Sequence, residues 1–238
     1  MVSVVSGESI GCGEKMIMRM ETASLIQEET HSRIDMAPVY AKYPTLERVE
    51  SQLDFRFQRR RPILYFVPRW KVGAEIGVFT GAFSEMMLEV TKPLKFYAVD
   101  PWWVSFGENF PNWGDYSAGG TLETRAAYEA AKHRTARFKG AEVVPSTGLD
   151  WINSLEANAL DWAYIDSTHQ YDPTLAELLA ISEKLAPDGV LLGDDCWPRR
   201  DNKHYGVYRA VRDFCRMRNF ELISLDGAGQ WAARKSID

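Results

Sequence analysis

The chemistry-bearing residues of this chain are carboxylates, glycines and one histidine, and they recur where short apolar runs end. Asp166 follows "LDWAYI", and Asp194 with Asp195 follows "GVLLG". If those runs are neighbouring parallel strands, about 4.8 Å apart, the three carboxylates converge on one patch. Like charges so placed repel unless a proton or a cation joins them. A hard divalent ion with oxygen ligands, most naturally Mg²⁺, meets that need, so Asp166, Asp194 and Asp195 are the candidate metal ligands. His169 lies three residues past Asp166. Its ordinary pKa of about 6.5 suits removal of a proton near neutrality, and it is the candidate general base, with Asp166 as its rival. The plainer roles for these residues are a helix cap at Asp166 or Ser167, a turn at Asp195, and a surface histidine at 169.

A second group sits in "AEIGVFTG", where Gly77 and Gly81 follow Glu75 at the end of an apolar run. A glycine just after a strand lets the backbone turn sharply and approach a ligand. The helix that follows offers its unpaired N–H groups. The spacing is not that of a dinucleotide loop, GxGxxG, nor of a GxxxxGK[ST] phosphate loop. Glu75 would repel a pyrophosphate but welcome a cationic amino-acid head group. Asp100, which closes "KFYAVD", can accept two hydrogen bonds from a ribose diol. Trp102 and Trp103 follow directly and could lie against an adenine face.

These residues need strands to carry them. From Ile63 onward apolar runs alternate with amphipathic stretches. "KVGAEIG", "KFYAVD", "AEVVPS", "LDWAYID" and "GVLLGDD" read as strands, and "FELISLD" with "QWAARK" as a closing hairpin around "GAG". Helices are expected in "GAFSEMMLEVT", "TLETRAAYEAAKHRTARF", "GLDWINSLEA" and "YGVYRAVRDFCRMR", and in "DPTLAELLAISEKLA", which should stop at "PDG". Strands separated by helices imply an α/β, doubly wound sheet of mostly parallel strands, seven in all, with an antiparallel C-terminal hairpin. Ligands bind such sheets beyond the carboxyl ends of the strands, where Glu75, Gly77, Asp100, Ser146, Asp166, Asp194 and Asp195 all fall. Residues 1–58 differ in texture and read as an N-terminal helical extension, a cap or a dimer contact; residues 59–238 form the sheet domain.

The totals bound the class. A chain of 238 residues, 45% hydrophobic, can bury a full core. A net charge of −5 offers no global field to a phosphate backbone, so nucleic acid is not an expected partner. Arg59, Arg60 and Arg61 read as a solvated basic face. Cys12, Cys196 and Cys215 are widely spaced with no CxxC, which favours a reducing compartment. No apolar run approaches the roughly 20 residues of a membrane span, and the amino terminus lacks a basic leader. The expectation is a soluble, cytoplasmic protein without a membrane partner.

From about Lys71 to Lys235 the chain resembles a class I S-adenosylmethionine-dependent methyltransferase with a Rossmann-like sheet. The resemblance is carried by "EIGVFTG", "AVD", "LDWAYIDSTHQYD" and "LAPDGVLLGDD". "IDSTHQY" followed by "LAPDGVLLGDDCW" is similar to the branch of metal-dependent small-molecule O-methyltransferases of macrocin type. By that resemblance the cofactor is S-adenosyl-L-methionine, bound by Glu75, Gly77, Gly81, Asp100, Trp102, Ser146, Thr147 and Asp166. Mg²⁺ on Asp166, Asp194 and Asp195 would orient a substrate hydroxyl and lower its pKa.

The expected reaction is therefore O-methylation of a small-molecule hydroxyl by a homo-oligomer, a homodimer joined through the extension. The aromatic stretch "PWWVSFGENFPNWGDYSAGG" is a candidate lid. "CWPRRDNKHYG" is a second candidate contact, through His204, Tyr205 and the cations Arg199, Arg200 and Lys203. The alternatives are N-methylation or cephalosporin-hydroxylase-like chemistry on the same fold, or a cofactor-binding partner protein without turnover. A nicotinamide dehydrogenase is disfavoured by the glycine spacing.

Overall fold

The computed structural model describes residues 34–236. Most of the helix expected in "METASLIQEETHSRIDMA", and with it residues 1–33 of the extension, lies outside the described residues. Among the described residues, two helices precede the sheet, α1 (Ala37–Lys42) and α2 (Pro44–Arg60), followed by a 3-10 turn over Arg61–Phe66. Pro44 opens α2, where its missing N–H has no helical partner to lose. Leu46, Val49, Glu50 and Leu53 are buried, at the spacing of one helical face.

The strands are β1 (Val72–Ile76), β2 (Lys95–Asp100), β3 (Ala141–Pro145), β4 (Leu160–Ile165), β5 (Leu185–Gly193), β6 (Phe220–Leu225) and β7 (Trp231–Lys235). They form one seven-stranded sheet in the order β3-β2-β1-β4-β5-β7-β6. The first five are mutually parallel, and β7 pairs antiparallel with both β5 and β6. This is the doubly wound sheet with an antiparallel C-terminal hairpin that the alternation of runs predicts. The chain moves outward from β1 to β3 and then returns to place β4 on the other side of β1. That reversal creates a crevice between the carboxyl ends of β1 and β4.

The connecting helices are α3 (Ala82–Thr91), α4 (Trp103–Phe106), α5 (Thr124–Thr135), α6 (Gly148–Ser154), α7 (Tyr171–Ser182) and α8 (Tyr205–Arg218). Ile152 of α6, Leu178 and Ile181 of α7, and Val207 and Phe214 of α8 share one apolar cluster with Ala163 and Ile165 of β4. Phe83 of α3 meets Tyr164, which strand alternation puts on the opposite face. Both faces of the sheet are thus covered, as a parallel sheet requires. No helix among the described residues is long and apolar enough to cross a membrane.

One predicted boundary is wrong. The helix expected to run to "PDG" ends at Ser182, and Pro187, Asp188 and Gly189 lie inside β5. Leu160 pairs with Leu185 and Trp162 with Val190, so the intervening residues bulge from the ladder. A bulge accommodates proline and glycine in a strand without loss of ladder bonds elsewhere. The terminator signal was real, but it marks an interrupted strand rather than a helix stop.

The described part of the extension is fastened to the sheet domain by a buried ion pair. Arg134 of α5 gives Nη1 and Nη2 to the two carboxylate oxygens of Glu50 at 2.6 and 2.8 Å, and Tyr40 donates to Glu50 at 2.5 Å. Glu50→Ala leaves the buried guanidinium with the Thr80 carbonyl and with Glu85, whose carboxylate is 3.3 Å from Nε. Breaking a buried pair costs about 3–5 kcal/mol, and Glu85 places the expected loss near the lower bound, about 3 kcal/mol. Urea unfolding measures it; a loss below about 1 kcal/mol would mean that Glu85 compensates the charge.

Candidate active site

The ladder that joins β1, β2, β4 and β5 also assembles the site. Gly77 N donates to Val99 O, Asp166 N to Ile76 O, and Asp194 N to Ile165 O. The first residues beyond β1, β4 and β5 are thereby held side by side at the switch point. Gly77 has φ +91°, and a Cβ there would meet the carbonyl oxygen of Asp166 at 2.0 Å. Gly81, φ +77°, caps α3, and a Cβ there would press on Ala131. Both glycines are therefore required by the turn itself. Phe79, Trp102 and Asp195 also have positive φ. Strain of that kind, at about 1–3 kcal/mol per residue, gathers where a backbone is fixed for a purpose.

Glu75 is buried within β1 and accepts a short hydrogen bond from Ser84. Burial pushes its carboxyl well above the usual range, against the opposing effect of Ser84. A buried acid of this kind gains most from an arriving cation. Asp100 is also buried; its Oδ2 accepts from Phe79 N at 2.9 Å and its Oδ1 from Trp102 N at 3.0 Å. Burial raises it to about 6, while the backbone N–H groups of Phe79, Trp102 and Val78 favour its ionised form. Asp100 thus ties the glycine loop to the end of β2.

Trp102, expected against an adenine face, is fully buried, with Nε1 donating to the Phe79 carbonyl and the ring edge-on to Tyr128. Trp103 is partly exposed under the guanidinium of Arg125, 4.1 Å from its ring centroid. Ser146 N donates to Asp100 O. Thr147 is the N-cap of α6, accepting from Asp150 N at 3.2 Å. The aromatic stretch after β2 contains α4 and a 3-10 turn over Gly114–Gly120 rather than an open loop. Its Phe110 and Tyr116 pack on Phe79, with ring centroids 5.3 and 6.5 Å away, and so roof the glycine loop.

On the other side of the crevice, Asp166, Asp194 and Asp195 each offer a carboxylate oxygen, all within 4.8 Å of one another. Sequence reading missed what lies among them. The Arg60 guanidinium at the end of α2 gives Nη1 to Asp166 Oδ2 at 2.7 Å and Nη2 to Asp194 Oδ2 at 2.5 Å. Its side chain is 14% exposed, so the expected solvated face is wrong at this residue. Leu46, Leu53 and Arg60 are spaced by seven, which puts Arg60 on the buried face of α2 and is the signal that could have found it. The other oxygens are also engaged. Asp166 Oδ1 is 3.4 Å from His169 Nε2, and Asp194 Oδ1 accepts from Asp195 N and Gln230 Nε2. Mg²⁺, which demands near-octahedral oxygen coordination, therefore does not fit this trio alongside Arg60.

Burial would raise Asp166, but Arg60 and then His169 outweigh it and hold the carboxyl below its ordinary value. Asp194 is raised to about 7, by burial first and by the neighbouring Asp166 next. His169 Nε2 also lies 3.1 Å from Asp195 Oδ2. Burial opposes its protonation, yet the hydrogen bond and charge of Asp166, with Asp195 behind them, raise its pKa. His204, which the sequence offers only as a substrate contact, stands beside it, ring centroids 4.4 Å apart and Nε2 3.8 Å from Asp195 Oδ2. The structure thus brings together Asp166, His169, Asp194 and Asp195, and holds Glu75, Gly77, Gly81 and Asp100 around the neighbouring loop.

A family model described as "Methyltransferase domain" matches residues 74–196, from β1 to just past β5. Spermidine synthase from Thermotoga maritima is similar at 19% identity and a TM-score of 0.50, over 76% of this chain and 60% of that one. A B. subtilis tRNA methyltransferase is similar at 15% identity and a TM-score of 0.50, over 76% of this chain and 65% of that one. The O-methyltransferase NovP is similar at 14% identity and a TM-score of 0.53, over 76% of this chain and 80% of that one. The chain thus spans less than two thirds of the first two, and at these identities the likeness is one of fold. No curated protein matches it in sequence.

Proposed function

Because the chain belongs to the methyltransferase domain family, we propose that it is an S-adenosylmethionine-dependent enzyme that methylates a hydroxyl of a small molecule. The observation that carries this reading is the pairing of two half-sites at one switch point. The acid–glycine loop with Asp100 suits the cofactor, and the His169 cluster suits deprotonation of an acceptor. Glu75 would meet the amino group of the methionine portion, Gly77 and Gly81 would admit its close approach, and Asp100 would hold the ribose. Ser146 and Thr147 belong to the adenine side of that reading, while buried Trp102 supports the glycine loop through the Phe79 carbonyl.

Bound S-adenosylmethionine supplies an electrophilic methyl group on sulfonium. The chain's contribution is placement and proton management. With Nε2–H of His169 directed at the Asp166 and Asp195 carboxylates, Nδ1 is the nitrogen with the lone pair. It would take the proton of the acceptor hydroxyl as that oxygen gains the methyl group. The imidazolium so made is stabilised by the same two carboxylates. The His169 cluster, a base beside the crevice, supports an oxygen acceptor, whose proton must be removed. The net charge of −5 favours a small acceptor over the tRNA of the B. subtilis protein.

Calorimetry with S-adenosylhomocysteine, followed by labelled methyl transfer to a panel of hydroxylated compounds, tests the reading. Saturating ligand, at about 100 Kd, should stabilise the fold by about 2.7 kcal/mol. No heat and no thermal shift would remove its foundation. Binding with transfer only to amines would replace oxygen by nitrogen as the acceptor atom.

A further inference from the structure

We propose that Arg60 is the resident cation of this acidic cluster, holding the position between Asp166 and Asp194 that a divalent ion would take, so that the reaction requires no added metal. The inference rests on the methyltransferase reading for its chemistry, but its geometry stands apart from that reading. Two nitrogens of one guanidinium reach one oxygen on each of two carboxylates from adjacent strands, at 2.7 and 2.5 Å. A planar fork with five donors is suited to such bridging, and its weak hydration suits a buried position. The side chains involved are enclosed, at 14% exposure for Arg60 and Asp166 and 9% for Asp194. Phe57 and Phe83 place their rings 5.6 and 5.7 Å from the guanidinium carbon.

Charge and coordination agree. Arg60 places one positive charge between Asp166 and Asp194, where a divalent ion would otherwise have to sit. A dication placed beside the guanidinium would face its repulsion in a site sheltered from water. Asp166 and Asp194 each spend their second oxygen on another donor, and Asp195 Oδ2 faces His169 Nε2 while its Oδ1 accepts from Trp197 Nε1. Arg60 also sits at the C-terminal end of α2, where a cation complements the helix dipole. Arg60 acts through its partners and is a positioning residue: it keeps Asp166 ionised and turned toward His169.

The probe is Mn²⁺, titrated into the full chain and followed by the EPR signal of the free ion, with calorimetry against S-adenosylhomocysteine as the fold control. The wild type is expected to leave Mn²⁺ free at roughly millimolar concentration, while Arg60→Met gains one site at least about tenfold tighter. Arg60→Met combined with Asp194→Asn should lose that site again. A folding role alone would not create a metal site, so this gain separates the two. Stoichiometric Mn²⁺ binding by the wild type overturns the proposal, and that titration stands even if the variant does not fold. It is also overturned if a folded Arg60→Met gains no site, or if it loses S-adenosylhomocysteine, which would make Arg60 a cofactor contact. Failure of the wild type to bind S-adenosylhomocysteine would instead sink the methyltransferase reading and leave the Mn²⁺ result standing.

Discussion

Asp100→Ala is expected to weaken S-adenosylhomocysteine binding at least about 100-fold, the equivalent of roughly 2.7 kcal/mol. Two losses combine in that change. The carboxylate that would accept from the ribose diol disappears, and such a charged acceptor is worth about 1.5–3 kcal/mol. The N–H groups of Phe79 and Trp102 lose their acceptor at the same time, which loosens the turn that holds Gly77 and Gly81. Asp100→Asn should not rescue binding, since its amide N–H₂ would face one of those N–H donors. The pH dependence has a definite sign. Asp100 titrates near 6 in the free protein, so affinity should fall as pH drops through that value and the acid loses an acceptor position. Calorimetry from pH 5 to 8 (roughly the range over which the group changes charge) reads both effects, with a melting curve to confirm that the variant folds. Unchanged affinity in Asp100→Ala would place the ribose elsewhere and detach the glycine loop from cofactor binding.

The parts of this site that were legible in the sequence are those fixed by local pattern. Strands buried on both faces are continuous apolar runs, so β2 at Lys95–Asp100 and the acids beyond β4 and β5 stand out. Helix α8 coincides with its predicted span because its apolar positions recur at helical spacing without interruption. What escaped depends on contacts between distant segments. Arg60 and Asp166 are separated by 106 residues, and the neighbours Arg59 and Arg61 disguise a buried arginine as a charged run. Only the seven-residue spacing from Leu46 and Leu53 distinguishes it. The bulge in β5 escaped for the opposite reason: "PDG" is a strong local signal, and the pairing of Leu160 with Leu185 overrides it. His204 comes to His169 through the fold at the start of α8, which no spacing in the chain announces.

His169→Ala is expected to lower kcat by about 10²- to 10⁴-fold while leaving S-adenosylhomocysteine affinity nearly unchanged. The histidine touches the acids at the ends of β4 and β5 rather than Glu75 or Asp100, so its loss should fall on proton transfer and not on cofactor binding. In the wild type the active form of this base is the neutral imidazole. Asp166 and Asp195 raise its pKa above 6.5, so the rate should be low at acid pH and rise as pH climbs through that raised value. Asp194, near 7, titrates in the same cluster, and the apparent value belongs to the coupled groups rather than to one residue. Removing the histidine separates them: the steep rise should vanish in His169→Ala, leaving a shallow dependence on hydroxide. Asp195→Asn should keep the histidine but withdraw one of the carboxylates that stabilise its protonated form, shifting the rise to lower pH. A His169→Ala enzyme that retains both its rate and its pH rise would overturn His169 as the base. The shift in Asp195→Asn is the sharper of the two readouts, because a histidine that merely packed beside the site would leave the profile where it was.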